Sequence, residues 1–416
     1  MPELRAPVGT HDVLAPESAR WAALVARFAQ VVERAGYGLV VSPLFEDVGL
    51  FTRLGEGTDV VRKEMYDFAD KGGRHLALRP EGTASVVRAW VQHRPPLPFK
   101  AWYAAANFRY ERAQAGRYRQ HHQVGVEALG PEDPDLDAEV IALAASVVAG
   151  LGLGQVELLL NSLGDGTCRP AYVTALSAFL AERADRLCDE HRERALEAPL
   201  RVLDCKRPAC RQVTVDAPRS VDHLCDACGH HFARVQDDLS ALGVAFTLEP
   251  RLVRGLDYYT RTTFELAATA LTSAQNAVGG GGRYDGLAEA LGGPPTPGIG
   301  FGLGVERLLL ACDAEGVFPA PSAVVDVFVV DTTGGSEALR LTAELRAAGV
   351  ACDRAFDGRS MRAQFKAADR SGAALALVVG TRERSEGTVT VRNLETGDQE
   401  SVSRADMVTH CVERLP

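Results

Sequence analysis

Apolar residues recur at three- and four-residue spacing through Trp21, Leu24, Val25, Phe28, Val31 and Val32, which predicts a helix over 17–35 with one buried stripe. Glu17 and Ser18 are its cap residues and Gly36 stops it. The segment YGLVVSPLFED (37–47) reads as a short apolar strand broken at Pro43, whose missing amide suits a strand end or sheet edge. A tight turn at Lys71-Gly72-Gly73 predicts a hairpin. The strand RHLALRPE (74–81) then runs through Gly82 and Thr83 into a helix carrying Val86, Val87, Trp90 and Val91. Glu81 and Thr83 sit at that strand-to-helix junction, where Thr83 either caps the helix or faces a pocket.

A dense polar run, NFRYERAQAGRYRQHHQVGVE (107–127), then interrupts an apolar frame that begins with WYAAA. Its simplest geometry is an antiparallel hairpin with Gly116 in or near the turn and strands on either side. Arg109, Arg112, Arg117 and Arg119 on one side of such a sheet suit a polyanion, because the planar guanidinium pairs phosphate oxygens bidentately. A solvated hairpin with surface ion pairs fits the same residues.

Residues 137–151 predict a largely buried helix, and QVELLLNSLGD (155–165) a strand. From 168 to 250 the chain becomes more charged and helical, as an insertion carried by the main sheet would be. Within it Cys205, Cys210, Cys225 and Cys228 make C-x4-C followed by C-x2-C, four thiols able to surround a structural Zn(II), with His230 and His231 as rival ligands. Unligated cysteines are the other reading.

In RLVRGLDYYTRTTFE (251–265), Gly255 permits an unusual turn after Arg254, and Asp257, Tyr258 and Tyr259 crowd polar groups beside an apolar frame. Four glycines follow in a row, Gly279 to Gly282, where backbone can approach a ligand closely, and they lead into Arg283, Tyr284 and Asp285. Alternating Gly298, Gly300, Gly302 and Gly304 leave one face of a strand as bare backbone, and Glu306 and Arg307 open the next helix. Such a strand and arginine could hold a purine between them. Beyond a proline-containing linker (316–324), a β-α-β-α-β order predicts a small, mainly parallel α/β domain. On its second helix Arg359, Arg362, Lys366 and Arg370 share a face, which could follow an RNA backbone or simply be solvated.

Composition narrows the class. A chain of 416 residues calls for two or three domains, and 46% hydrophobic with 24% charged residues is ordinary for a globular protein. No apolar stretch reaches the length of a membrane span, and the N-terminus lacks an export signal, so nine cysteines are expected as thiols or metal ligands. A net charge of −10 argues against broad nucleic-acid binding, DNA included, but leaves a local RNA contact open.

Taken together these stretches resemble the class II aminoacyl-tRNA synthetases. The segment ending at Pro43 resembles the class's first motif, a dimer-interface element. FRYER through HHQVGVE resembles the second, and GIGFGLGVERL (298–308) the third, with Arg307 its arginine. RPEGT (79–83), GRYRQHHQ (116–123), RGLDYYTRT (254–262) and GGGRYDGL (280–287) resemble the histidyl-tRNA synthetase family within that class. Two departures are visible: Val8 stands where the family usually has arginine, and Ala113 and Ala115 where Pro and Lys are frequent.

The resemblance implies an α/β and α+β multidomain fold. An antiparallel-sheet catalytic domain (1–167 and 251–320) would carry a helical insertion (168–250), followed by an α/β anticodon-binding domain (325–416). It implies a cytoplasmic homodimer that makes histidyl-adenylate from L-histidine and ATP with Mg(II), then charges tRNA(His). In this reading Arg109 and Arg254 act on the α-phosphate, and Arg307 holds the γ-phosphate end and adenine face; Glu111, Arg117, Tyr118 and Gly304 complete the ATP site. Glu81 and Thr83 hold the amino group of histidine, and Gln123 and Arg254 its carboxylate. Glu127 and Tyr259 read the imidazole, with Tyr258, Gly280 and Gly302 close by. His121 and His122 are structural. Arg112 and Gln114 meet tRNA, as does the stripe of Arg359, Arg362, Lys366 and Arg370. The alternative is a non-catalytic, synthetase-like regulatory subunit of ATP phosphoribosyltransferase.

Overall fold

The computed structural model describes residues 3–53, 60–112, 116–192, 195, 197–255, 258–271, 276–321 and 325–415. Two compact units divide at Pro319/Ala320. The first helix, Glu17–Glu33, buries Arg20, Leu24, Phe28 and Val32, one residue per turn, as the periodicity requires. Arg20 tolerates that stripe because its guanidinium reaches Asp313 at 2.6 Å and the Phe318 carbonyl at 2.8 Å. The helix ends short of the predicted boundary, and Gly36 takes the left-handed turn (φ +85°) beyond it.

Pro43 does more than interrupt a strand. Residues 37–47 form two strands in different sheets, β1 (Gly38–Leu39) and β2 (Phe45–Asp47). β2, β3 (Tyr66–Ala69) and β4 (His75–Leu78) make a three-stranded antiparallel sheet, with the predicted turn between β3 and β4. β4 leads through Gly82 into the helix Thr83–His93.

The main sheet has eight strands in the order β1-β5-β6-β11-β10-β9-β7-β8. Its members are β5 (Phe99–Phe108), β6 (Gln120–Leu129), β7 (Val156–Ser162), β8 (Thr247–Leu248), β9 (Thr260–Ala268), β10 (Ala277–Arg283) and β11 (Gly298–Gly304). Every pairing from β5 to β7 is antiparallel. Only the edge strands β1 and β8 run parallel to their neighbours. One face packs on the helices Glu17–Glu33, Pro134–Gly150 and Val305–Glu315 through a core including Phe28, Ile141, Phe301 and Leu308. The helix predicted from 137 begins at Pro134, which needs no amide in the first turn, and Asp133 accepts from the amide of Asp135 at 3.1 Å. Sequence position, not spatial order, separates β7 from β9: the helical segment between them is the insertion. Its small core gathers Tyr172, Leu176, Leu180, Val202 and Val213.

The second unit carries a five-stranded sheet in the order β13-β12-β14-β15-β16. β12 (Val327–Asp331), β13 (Cys352–Arg354) and β14 (Leu375–Val379) are parallel, as expected. β15 (Thr388–Asn393) and β16 (Gln399–Ser403) add an antiparallel hairpin that the β-α-β-α-β reading did not include. The basic helix spans Met361–Ser371, so Arg362, Lys366 and Arg370 lie on it, exposed, while Arg359 precedes it and pairs with Asp357 at 3.8 Å.

Candidate active site

The run 107–127 is the expected antiparallel hairpin, with Gly116 in the connection between β5 and β6, but its arginines are not on the strands. The β5–β6 ladder closes at Phe108 opposite Gln120, so Arg109, Arg112, Arg117 and Arg119 all lie in the loop. The physical reason is visible at its base: the amide of Arg109 still reaches the Arg119 carbonyl (2.8 Å), but that of Arg119 turns to the carbonyl of Gly9 (2.8 Å). Backbone bonding thus passes to another segment, and the side chains are freed from a common face. Arg109 donates to the Pro80 carbonyl at 2.9 Å, Arg117 pairs with Glu111, and Arg119 lies over the Tyr110 ring at 4.0 Å. Arg112 is exposed; Gln114, with Ala113 and Ala115, falls outside the described residues.

A cavity of about 740 Å³ opens beside this loop. Arg109, Glu111, Arg117, Tyr118 and Gln123 line it from the β5–β6 side. Arg254, Tyr259, Gly302, Gly304 and Arg307 line it from the other strands. That volume is in the range of a site for a nucleotide-sized ligand, on the order of 300–1,000 Å³. Arg307 spans the rim, donating to the carbonyls of Ala277 (2.8 Å) and Gly116 (3.1 Å). Arg254 pairs with Glu265 at 2.7 Å, and a Cβ on Gly280 would lie 2.9 Å from the same guanidinium nitrogen. The nearer obstacle is the Phe264 carbonyl, so Gly280, like Gly279, Gly281 and Gly282, opposes backbone across the central strands. Gly255 has no left-handed φ, so the turn after Arg254 does not depend on glycine, and Asp257 lies outside the described residues.

The two histidines of the loop's far side diverge. His122 donates its amide to Glu306 (3.0 Å), its ring nitrogen lies 2.8 Å from the same carboxylate, and its ring packs on Trp21. His121 faces the cavity, where burial first, then the charges of Arg109, His122 and Arg307, push its pKa down to about 3. It is a neutral imidazole among cations.

Behind the cavity the same strand face leads inward. Gln123, Gly125 and Glu127 alternate along β6 and oppose Gly304, Gly302 and Gly300 of the bare strand face. Gln123 lines the cavity and accepts from the buried Asn107 at 2.7 Å. Glu127, at 0% exposure, is the far end of this path. Its carboxylate receives the Thr83 hydroxyl at 2.7 Å and the Tyr284 hydroxyl, with Tyr103 as a further partner. A Cβ on Gly300 would collide with it, so the glycine alternation here has a steric cause. Burial pushes the Glu127 pKa up to about 8, only partly opposed by the Tyr284 and Thr83 hydrogen bonds, and nearby Glu81 raises it further.

Thr83 does not cap its helix. Glu81 does so, with its carboxylate accepting from the amides of Thr83 (2.7 Å) and Ala84 (2.8 Å), which leaves the Thr83 hydroxyl for Glu127. Tyr258 packs on Tyr259 at 4.8 Å and on Tyr284 at 5.9 Å, closing the aromatic wall near Glu127. Glu81, Thr83, Glu127, Tyr258 and Gly280 therefore cluster behind the cavity and do not line it. Sequence reading did not single out Glu64, Tyr103, Asn107 or Glu265 for the site. Asn107 and Glu265 stand at the ends of the stretches 107–127 and 251–265, and Tyr103 is a lone hydroxyl in the run WYAAA.

The four cysteines read as one metal set are divided by the fold. Cys205 and Cys210 gather with Cys188 and His191, whereas Cys225 and Cys228 gather with Asp165 and Cys168. The two pairs complete separate groups, so nearness in sequence does not become nearness in space. His231, the rival ligand, instead bonds Asp137 at 2.8 Å, and His230 joins neither group.

The chain matches the family model for histidyl-tRNA synthetase over residues 9–308 and the model for an anticodon binding domain over 324–414. It is 53% identical over 403 residues to a histidine–tRNA ligase of Rhodococcus erythropolis, covering 95% of each chain. A histidine–tRNA ligase of Moorella thermoacetica is 49% identical over 411 residues, with 97% of each covered. Among solved structures, apo histidyl-tRNA synthetase of S. aureus superposes with a TM-score of 0.82 at 35% identity, covering 98% of this chain and 99% of that one.

Proposed function

The chain belongs to the histidyl-tRNA synthetase family, and from that premise we infer how its cavity joins histidine to tRNA(His) in two steps. In the first, a carboxylate oxygen of histidine attacks the α-phosphorus of ATP, and pyrophosphate leaves. In the second, a terminal ribose hydroxyl of the tRNA attacks the adenylate carbonyl, and AMP leaves. Neither step asks for a protein nucleophile; both need alignment and neutralisation of phosphate charge.

Four cavity arginines supply that charge. Arg109 and Arg254 would act at the α-phosphate, and Arg117 and Arg307 farther along the triphosphate, with Glu111 holding Arg117 in place. Tyr118, Gly304 and the rim arginine Arg307 would bound the adenine. Glu64 and Glu265 on the cavity wall offer hard oxygen donors that would hold Mg(II), which when bound would supply further positive charge at the phosphates. Histidine would lie along β6, its carboxylate near Gln123 and Arg254 and its amino group toward Glu81 and Thr83. Its imidazole would sit between Glu127 and Tyr259, with Tyr258, Gly280 and Gly302 shaping the space.

The observation that carries this reading is Glu127. Among the described residues its hydrogen bonds come from hydroxyls and not from a cation, so this wholly buried carboxyl group stays available to a polar ligand. A side chain lacking polar ring atoms would leave that group unpaired, which is how such a site rejects other amino acids.

Arg112 and Gln114 would approach the tRNA acceptor end, and Arg359, Arg362, Lys366 and Arg370 the anticodon arm. The exposed apolar residues Leu39, Val41, Leu44 and Phe45 suit the interface of a cytoplasmic homodimer. No helix among the described residues is long and apolar enough to cross a membrane. The regulatory-subunit reading has no observation in its favour, since Arg109, Arg254 and Arg307 all stand on the cavity. Exchange of labelled pyrophosphate into ATP tests the assignment: it should require histidine and fail with every other amino acid. Folded protein that shows no histidine-dependent exchange would refute it.

A further inference from the structure

Cys188, His191, Cys205 and Cys210 come from four short pieces of the insertion. Cys188 precedes the helix Asp189–Arg192, which carries His191; Cys205 follows the helix Pro199–Leu203; and Cys210 lies on the helix Pro208–Thr214. Their ligand atoms all fall within 4.8 Å of one another. Cys188 Sγ is 3.2 Å from His191 Nδ1 and 4.0 Å from Cys205 Sγ, and Cys210 Sγ is 3.8 Å from the same Nδ1. A tetrahedral zinc with Zn–S bonds of about 2.3 Å and a Zn–N bond of about 2.0 Å has ligand–ligand edges of roughly 3.5–3.8 Å. The observed separations bracket that edge. Cys188 and Cys210 are buried, and the flanking cations are occupied elsewhere: Lys206 with Asp204 at 2.9 Å, Arg207 with Glu190 at 3.1 Å.

We propose that Cys188, His191, Cys205 and Cys210 bind one zinc ion, through three thiolates and the imidazole Nδ1, as a structural clamp on the insertion. Four protein ligands close the coordination sphere, so this zinc has no open position for substrate. The clamp has a mechanical purpose. Helices of 4, 5 and 7 residues bury too little to hold their own arrangement, and their core is shared among a few side chains. His191 and Cys205, with Asp204 and Lys206 beside them, also line the main cavity. Fixing the four ligands thus fixes part of the cavity wall.

The second cluster differs in its electrostatics. Asp165, Cys168, Cys225 and Cys228 converge as closely, but Arg261 stands 3.6 Å from Asp165 and also bonds Cys228. That guanidinium already supplies the positive charge a cation would bring, and it repels one. The zinc belongs to the first cluster alone.

Metal analysis of the purified full-length chain, expressed with zinc, tests this. The expected content is about one zinc per chain, the number one closed tetrahedral site holds. Cys210→Ser should lose it and Cys225→Ser should keep it. Protein expressed in cobalt medium gives a reading without any substitution: the intense visible bands and thiolate-to-metal charge transfer of a tetrahedral Co(II) site are expected. Less than about a tenth of an equivalent of zinc, with the weak spectrum of six-coordinate Co(II), would overturn the proposal. So would zinc lost from Cys225→Ser but kept by Cys210→Ser, or a disulfide between Cys188 and Cys205.

Discussion

Two carboxylates, Glu127 and Asp137, are both wholly buried in the first unit, and they are treated in opposite ways. Asp137 lies in the first turn of the helix Pro134–Gly150 and is met by two cationic or protonatable side chains. Arg283 donates from Nε at 3.0 Å and again from Nη2, and His231 lies at 2.8 Å. Burial works to raise its pKa, but the His231 hydrogen bond and the Arg283 charge outweigh it and hold the carboxyl below its ordinary range. Arg283 is itself fully enclosed, spending its remaining donors on Asp285 and on the carbonyls of Pro131 and Asp133. This network is complete, and it ties the helix to β10. Glu127 receives only hydroxyl donors in its hydrogen bonds and sits well above the carboxylate range at about 8. One carboxylate is paired with cationic side chains of the fold; the other is bonded to hydroxyls. Burial alone does not distinguish them, whereas the partners do.

The largest effect should come from breaking the complete network. Asp137→Ala leaves Arg283 buried without its main counter-charge, and about 3–5 kcal/mol of stability should be lost in a denaturant titration. Histidine KM of whatever remains folded should be little changed, in contrast to substitutions at Glu127. Next, Arg254→Ala removes a cavity cation whose Glu265 partner is a quarter exposed or less, and adenylation should slow by roughly 100- to 1,000-fold with little change in melting temperature. Unchanged single-turnover adenylation would remove Arg254 from the chemistry. Smaller again, Tyr284→Phe deletes one hydroxyl donor to Glu127, and histidine KM should rise about fivefold, in line with roughly 1 kcal/mol for a single hydrogen bond.

The last contrast lies in the pH dependence of stability, where the two carboxylates differ in sign. The folded pKa of Glu127 is raised from 4.5 to about 8, so the folded state holds the proton more tightly and native stability falls as pH rises through that window. Glu127→Gln removes this term, and its melting temperature relative to the native chain should climb between about pH 4.5 and 8. The folded pKa of Asp137 is lowered from 3.8, so its contribution is present above that value and lost as pH falls below it. Melting curves of both variants across pH would sharpen the distinction, or erase it if the two slopes agree.

Much of the site was legible before the structure. The residue types at 79–83, 107–127, 254–259 and 298–307 carried the chemistry, because arginine forks, bare glycine strands and buried hydroxyls have few other uses in such density. The pairing was not legible. Arg283, the last residue of β10, turns to Asp137, while Tyr284 just beyond it turns to Glu127, and nothing in the run Arg283-Tyr284-Asp285 shows that division. Spacing also misled at the cysteines. C-x4-C and C-x2-C stand near each other in the chain, but the partners that complete each group, Cys188 with His191 and Asp165 with Cys168, lie far upstream. The arginines were expected on the strands of the hairpin because nothing in composition marks where the β5–β6 ladder ends.

The central claim is that the buried carboxylate of Glu127 recognises the imidazole of histidine. Histidine-dependent pyrophosphate exchange by Glu127→Gln, measured against histidine and ATP concentration at pH 7.5 (roughly the window between the ordinary imidazole pKa and that of Glu127), tests it directly. The predicted result is a histidine KM raised by about tenfold, the loss of one hydrogen bond to the imidazole, with ATP KM unchanged. A variant that keeps the native histidine KM would contradict the account, and would leave Glu127 a buried acid with no part in selecting the substrate.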